Sequence, residues 1–480
     1  MLRQFVTLLA ASLLIAVPIR TLAAGFEHVS NLAEKGFLIS AKAQLLDTGE
    51  VLGAITPQRQ LSPASVSKLY VAAAALDQWG PQHRFSTRLV TTGDIDARGV
   101  LHGDLVFVGG GDPALVSEDL WRLIQRLRLH GVTHVDGQLV ISQWRFGPVK
   151  CITTDRCKSR TRSDNAYSAL LSSAGGNYGS WCLKVLPGAQ AGADARIRSC
   201  DTVIPTMRVD NRVTTTTGSS DTSLSAERVT DAQGDTMIVR GKIALGTYPR
   251  DVYIASSDPA RQTAKTLQAM LEDAGISIAG GAVTSETQPP ASARRLAAVD
   301  GKPLQELLLR MLNYSNNFMA DVLALGLVET PRATLPHAGA ELERFARGLS
   351  GHGPLRLLSG SGLTPENRTS AQGVNELLEA MYHRSALFPT FVAGLQLPVN
   401  GPMTFIQRGS DLFQSHVMLK TGTLNEPVSV RALGGYFRTE SGHWSSFSVL
   451  VNGTGSTPYL SWFEVLPLVA KDLTAMIAAH

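Results

Sequence analysis

Cysteine is scarce in this chain, and its placement excludes more than its number does. Only four occur in 480 residues (Cys151, Cys157, Cys182 and Cys200), all in one short stretch with no histidine among them. That pattern argues against a metal site and for two disulfides, which need an oxidising compartment. Three pairings are possible, and spacing does not choose between them. Long apolar runs are also missing: beyond the N-terminal segment none is long enough to cross a bilayer. Charge of one sign is lacking too. The formal net charge of +4 falls to +2 when Arg3 and Arg20 leave with a leader, which argues against a nucleic-acid surface. Such a balance leaves room only for weak association with anionic wall or membrane surfaces. No internal repeat is present.

Residues 1–23 read as a secretory signal. Arg3 precedes the apolar run Phe5–Val17, and Thr21-Leu22-Ala23 supplies a small-residue cleavage site before Ala24. The expected product is exported and periplasmic; without cleavage the segment becomes an N-terminal anchor. A hydrophobic content of 44% against 18% charged residues describes a folded globular protein, and 480 residues suffice for two or three domains.

Leu38–Leu46 and Val51–Ile55 read as strands around Asp47-Thr48-Gly49-Glu50. A helix follows and stops at Gly80-Pro81. Near the other end, Val428–Phe437 and Trp444–Asn452 form a second strand pair, and Pro467–Ala479 reads as a closing helix. One antiparallel sheet built from both ends of the chain, flanked by helices, is the expectation. The interval between Lys68 and Ser315 is far more than a compact connection needs. Its strand-like pieces (Leu105–Val108, Gln138–Ser142, Thr236–Val239) predict a large, mainly-β insertion, with Thr214–Ser225 as a low-complexity loop. The fold class is therefore α+β. The expected boundaries are 24–90 and 291–480 for the two halves of the main domain, and 91–290 for the insertion.

The chemistry concentrates in Ser65-Val66-Ser67-Lys68. Among the lysines only Lys68 has a serine three positions before it, and the apolar run Leu69–Leu76 follows at once. Residues three apart share a helix face. Serine is a poor nucleophile until a base takes its proton, and a desolvated lysine can be that base. An ordinary lysine with a pKa of about 10.4 is mostly protonated at neutral pH, so the site must be buried and electropositive. Taken alone, the pattern also fits a helix cap beside a solvated lysine. Lys420-Thr421-Gly422-Thr423, after Val417-Met418-Leu419, reads as the end of a strand facing a cleft. There Lys420 and Thr421 can hold a carboxylate, and Gly422 lets a substrate backbone approach. Ser315-Asn316-Asn317 offers a hydroxyl and an amide between the helix-like Pro303–Leu312 and Phe318–Leu327, though a capping pair is the plainer interpretation. A rival, Ser163-Asp164-Asn165, lies next to the cationic stretch Arg156–Arg162, which reads as an exposed loop. The amphipathic flanks favour Ser315 and Asn317.

In this order the three motifs are the Ser-x-x-Lys, Ser-x-Asn and Lys-Thr-Gly set of serine penicillin-recognising enzymes. Beyond them, Gly103-Asp104-Leu105, Gly109-Gly110-Gly111-Asp112-Pro113, Ser257-Asp258-Pro259, Ala320-Asp321 and Gly360-Ser361-Gly362-Leu363 resemble segments of the S13 peptidases. These are the low-molecular-mass class C penicillin-binding proteins of the penicillin-binding protein 4 type. Ser359 stands where that family usually has an aspartate, and Gln396–Arg408 follows its pattern loosely, which bears on substrate preference. The resemblance implies a penicillin-binding transpeptidase-like domain with one insertion, and no metal or organic cofactor.

It also implies acyl transfer at D-alanyl-D-alanine bonds of peptidoglycan stem peptides, and cleavage of cross-links by the same chemistry. Ser65 is the expected nucleophile and Lys68 its base. Ser315 and Lys420 relay a proton, Asn317 bonds the substrate amide, and backbone N–H groups of Ser65 and Thr423 form the oxyanion hole. β-Lactams are the expected covalent inhibitors. The alternatives are a serine β-lactamase, for which a Glu-x-x-Leu-Asn sequence is missing, and a non-catalytic wall-binding protein.

Overall fold

The computed structural model describes residues 25–218 and 222–480; the signal segment, residues 1–23, lies outside them. At its centre is a five-stranded sheet in the order Val417–Leu424, Val430–Arg438, Trp444–Asn452, Leu38–Leu45, Val51–Ile55. Every neighbouring pair is antiparallel. The expected sheet from both chain ends is present.

Both faces of this sheet are buried, and alternation along Val430–Arg438 shows how. Leu433 and Phe437 face a cluster with Val465, Leu466, Val469 and Leu473 of the closing helix Trp462–Ala479. Ala432 and Tyr436 face the opposite cluster, with Leu69 and with Leu377 and Leu378 of the helix Ala371–Tyr382. The closing helix begins earlier than Pro467, where Glu464 Oε2 accepts from both the Ser461 N–H (2.9 Å) and its Oγ–H (2.8 Å). Two serines on the covered sheet find partners: Ser446 Oγ donates to Asn375 Oδ1 (2.8 Å) and Ser448 Oγ to the Ala371 carbonyl (3.0 Å), whereas the buried Ser445 Oγ has none.

The helix Lys68–Trp79 is buried from its first residue through Leu76. Four consecutive alanines, Ala72–Ala75, let its neighbours come close on all sides, so it carries no polar stripe. It ends at Gly80, whose φ is +73° and whose N–H bonds the Leu76 carbonyl. Leu304–Asn313 and Asn317–Gly326 pack against it in the same cluster.

Between the two halves, strands form further sheets. The largest has the order Ala282–Ser285, Leu139–Ser142, Leu105–Val108, Ser86–Thr91, Arg294–Asp300. Its first three strands run parallel. Parallel pairing needs crossover connections, and helices Ser117–Arg128 and Pro259–Asp273 share the apolar cluster beneath the sheet. The insertion thus holds more helix than the strand pattern suggested. A second body pairs Arg208–Thr216, Gly234–Ala244 and Ser223–Asp231 with the short Arg162–Ser163. The stretch expected to be a loop from Thr214 is strand through Thr216, and strand again from Ser223.

The stretch from Arg156 to Arg162 is not wholly the exposed loop that its charge predicts. Thr154–Lys158 is a short helix capped by Thr153, and Arg156 and Ser159 are buried. Disulfides join Cys151 to Cys157 and Cys182 to Cys200, spanning 6 and 18 positions. Thiol alkylation without reduction should find no free cysteine, and unreduced peptide maps should return these two pairs. A Cys157–Cys182 link would contradict the topology. Removing the longer link should cost about 2–4 kcal/mol, read as a lowered denaturant midpoint.

Candidate active site

Ser65 lies in a tight turn, Ala64–Ser67, that runs straight into the helix Lys68–Trp79. Ala64 holds a φ of +44°, a strained value for a residue with a Cβ. Two glycines make room for this turn. A Cβ on Gly422 would lie 2.5 Å from the Pro63 carbonyl oxygen and 3.0 Å from the Ser65 nitrogen. Gly362, at φ +80°, backs directly onto the Ala64 carbonyl. The missing side chain at Gly422 thus seats the turn bearing Ser65 against the motif strand.

The three motifs converge. Lys68 Nζ lies 2.8 Å from Ser65 Oγ and donates to Asn317 Oδ1 (2.8 Å) and to the Ser361 carbonyl (2.6 Å). Lys420 Nζ lies 2.9 Å from Ser315 Oγ and donates to the Thr421 carbonyl (2.6 Å). Both lysines are fully buried. Burial pushes Lys68 well below the ordinary lysine value; the nearby Lys420 adds to this, Asp321 opposes it, and Arg156 lowers it further. Burial alone brings Lys420 down to about 7. Neutral amines are thus accessible where the chemistry needs a base.

Ser315 has a φ of +53°, and Asn316, whose Oδ1 accepts from Met319 N–H (2.9 Å), caps the helix that starts at Asn317. The capping role belongs to Asn316. Ser315 and Asn317 instead line a cleft of about 990 Å³ together with Ser65, Thr421 and Thr423. The strand continues past the motif to Leu424, so Lys420-Thr421-Gly422 sits within it and not at its end.

Several further residues support the motifs. Gln396 is buried, accepts from Thr421 Oγ1 (3.2 Å) and donates to the Asn313 carbonyl (2.8 Å). Trp462 Nε1 donates to Thr423 Oγ1 (2.9 Å). Asp321, one helical turn beyond Asn317, accepts from Ser361 N–H (2.8 Å) and pairs with Arg156. A Ser-x-Asn followed by an acid four residues on was the visible signal for Asp321; nothing local marked Gln396 or Trp462. Ser359 lies beneath the turn, its Oγ accepting from Thr364 and its carbonyl from Asn367. Asn367 also donates to Ser67 Oγ, so Ser359 supports the nucleophile turn from below.

The rival motif reaches the same cleft, at its wall. Its polar groups are used within their own loop. Ser163 Oγ donates to the Asn165 carbonyl (2.8 Å), and Asn165 Oδ1 accepts from Ser168 N–H and Oγ–H. Asn317→Ala should therefore slow acylation by more than about tenfold, whereas Asn165→Ala should change it by less than about threefold, under 1 kcal/mol. Equal losses in two folded variants would overturn the assignment.

Comparison with known proteins agrees with this geometry. Residues 27–460 match the model of the D-Ala-D-Ala carboxypeptidase 3 (S13) family. A D-alanyl-D-alanine carboxypeptidase of Actinomadura sp. (strain R39) is 30% identical over 86% of this chain and 77% of that protein. Penicillin binding protein 4 of Haemophilus influenzae shares the fold at 20% identity with a TM-score of 0.75, covering 94% of this chain and 99% of that one. It has also been solved in complex with a β-lactam. A peptidoglycan endopeptidase of Bdellovibrio bacteriovorus superposes with a TM-score of 0.52 at 15% identity, over 92% of each chain. With nearly its whole length matched to the family model and its three motifs gathered around one serine, the chain belongs to the S13 peptidase family.

Proposed function

We propose that this protein is a serine-type D-alanyl-D-alanine carboxypeptidase that also cleaves D-alanyl cross-links of peptidoglycan through an acyl-enzyme on Ser65. The observation that carries the reading is the setting of the Lys68 amine. Two of its three neighbours, Asn317 Oδ1 and the Ser361 carbonyl, can only accept hydrogen bonds. A neutral amine has two N–H groups for them, and its lone pair is left for the Ser65 hydroxyl.

Lys68 takes the Oγ proton as Ser65 attacks the carbonyl carbon of the scissile bond. Backbone N–H groups of Ser65 and Thr423 receive the developing oxyanion, where one such donor is typically worth about 3–4 kcal/mol. When the C–N bond breaks, the leaving amine receives a proton through Ser315 and Lys420. Asn317 Nδ2 bonds the substrate amide, and Lys420 with Thr421 holds the terminal carboxylate. Water then attacks the ester and frees Ser65. The relatives' named activities and the β-lactam complex of the Haemophilus protein support the same chemistry here, with β-lactams as covalent inhibitors.

Two disulfides support an exported, periplasmic location. Among the described residues no helix is long and apolar enough to cross a membrane.

Ser65→Ala should abolish both peptide hydrolysis and penicillin labelling while the fold survives; intact-protein mass that still shows an adduct would refute Ser65 as nucleophile. The penicilloyl adduct of the unmodified protein should persist for minutes. The opened ring keeps the leaving amine tethered in the cleft, and no described carboxylate is hydrogen-bonded to Ser65 or Lys68 to drive water in. A lifetime of roughly a hundred seconds is a barrier of about 20 kcal/mol, against about 16 for ten turnovers per second. Adduct decay within a second would make the protein a β-lactamase.

A further inference from the structure

The catalytic lysine is connected to the inserted segment by a buried chain of polar contacts. Arg156 enters from the helix Thr154–Lys158 and is 1% exposed. Its Nη1 lies 2.5 Å from Asp321 Oδ2, and Asp321 is fully buried. Asp321 Oδ1 accepts from Ser361 N–H (2.8 Å), and the carbonyl of Ser361 accepts from Lys68 Nζ (2.6 Å). Arg156 Nη2 also approaches the Asn317 carbonyl (3.5 Å), while Asn317 Nδ2 donates to the Tyr167 carbonyl of the same inserted loop (3.3 Å). Its Nε donates to the Ala169 carbonyl, and the Cys151–Cys157 disulfide closes the loop immediately beside it.

We propose that Arg156 is a positioning residue for the acylation step: by neutralising Asp321 it fixes the charge balance around Lys68, and with it the pH range in which Ser65 reacts. The argument is one of buried charge. A carboxylate left unopposed at this depth would favour a protonated Lys68, and a protonated amine has no lone pair for the Ser65 hydroxyl. With Arg156 in place, the single anion Asp321 is opposed by Arg156 from the insertion and, while it is protonated, by Lys420 on the motif strand. No net negative charge then faces the amine, so release of the lysine proton is favoured. Arg156 touches neither Ser65 nor the cleft; it acts by offsetting Asp321 and by the field of its own positive charge at Lys68. The inference rests on Lys68 serving as the base.

The experiment is the acylation rate of Ser65 by a fluorescent penicillin, followed against pH in the full mature chain. Arg156→Gln leaves Asp321 unopposed and should move the acid limb of the profile to higher pH. Acylation at pH 7 then falls about tenfold for each unit of displacement and recovers on the alkaline side. Asp321→Asn, which can still accept from Ser361 N–H, should move the limb the opposite way, and the double variant should lie between the two. A loss in Arg156→Gln that is equal at every pH, or an unmoved midpoint, would overturn the proposal. If Arg156→Gln does not fold, the double variant is compared with Asp321→Asn, from which it must be displaced to higher pH; coincident profiles overturn the proposal. A wild-type protein acylated at Ser65 with no acid limb at all would sink Lys68 as base, and this inference with it.

Discussion

A lysine amine buried away from bulk solvent is the constraint around which this molecule is arranged. Lys68 is fully buried, and burial is the largest influence depressing its affinity for a proton. Desolvation of this kind is tolerated only when every hydrogen-bonding direction is met, and Ser65, Asn317 and the Ser361 carbonyl meet them. Each partner comes from a different part of the chain, so the amine is satisfied only in the completed fold. The central sheet fixes the motif strand, Gly422 and Gly362 let the nucleophile turn pack against its neighbours, and strained backbone at Ala64 and Ser315 is held in place by that packing.

What the sequence revealed of this arrangement follows from what is local. Ser65 and Lys68 are three residues apart, and the strands of the sheet carry their apolar alternation within themselves, so both were legible. The order of the three motifs then identified which serine and which lysines meet. Ser163-Asp164-Asn165 and Ser315-Asn316-Asn317 show the limit of letters. Both reach one cleft, but the first spends its hydrogen bonds within its own loop, and the second starts a buried helix that carries the amide to Lys68.

Contacts made over long separations were not legible. Arg156 sits in a run of cations with no apolar period, which is how a solvated loop looks. Its burial depends on Asp321, 165 positions away, and no local pattern records that partner. Gln396 and Trp462, which orient Thr421 and Thr423, were hidden for the same reason. The helix Ser117–Arg128 is a different case. Leu120, Leu123, Ile124 and Leu127 are spaced for one buried face, so its signal was present amid the strand-rich text of the insertion.

The catalytic sheet places Leu38–Leu45 between Val51–Ile55 and Trp444–Asn452. During synthesis an early strand must therefore wait for a late one. The sheet cannot close, the turn bearing Ser65 has no strand to lean on, and Lys420 has no place beside Ser315 until the last tenth of the chain has emerged. The intervening sheets, whose strands pair among themselves between Ser86 and Asp300, face no such delay. The site is thereby tied to completion: a truncated or half-made chain carries Ser65 and Lys68 but lacks the surface that gathers their partners around them.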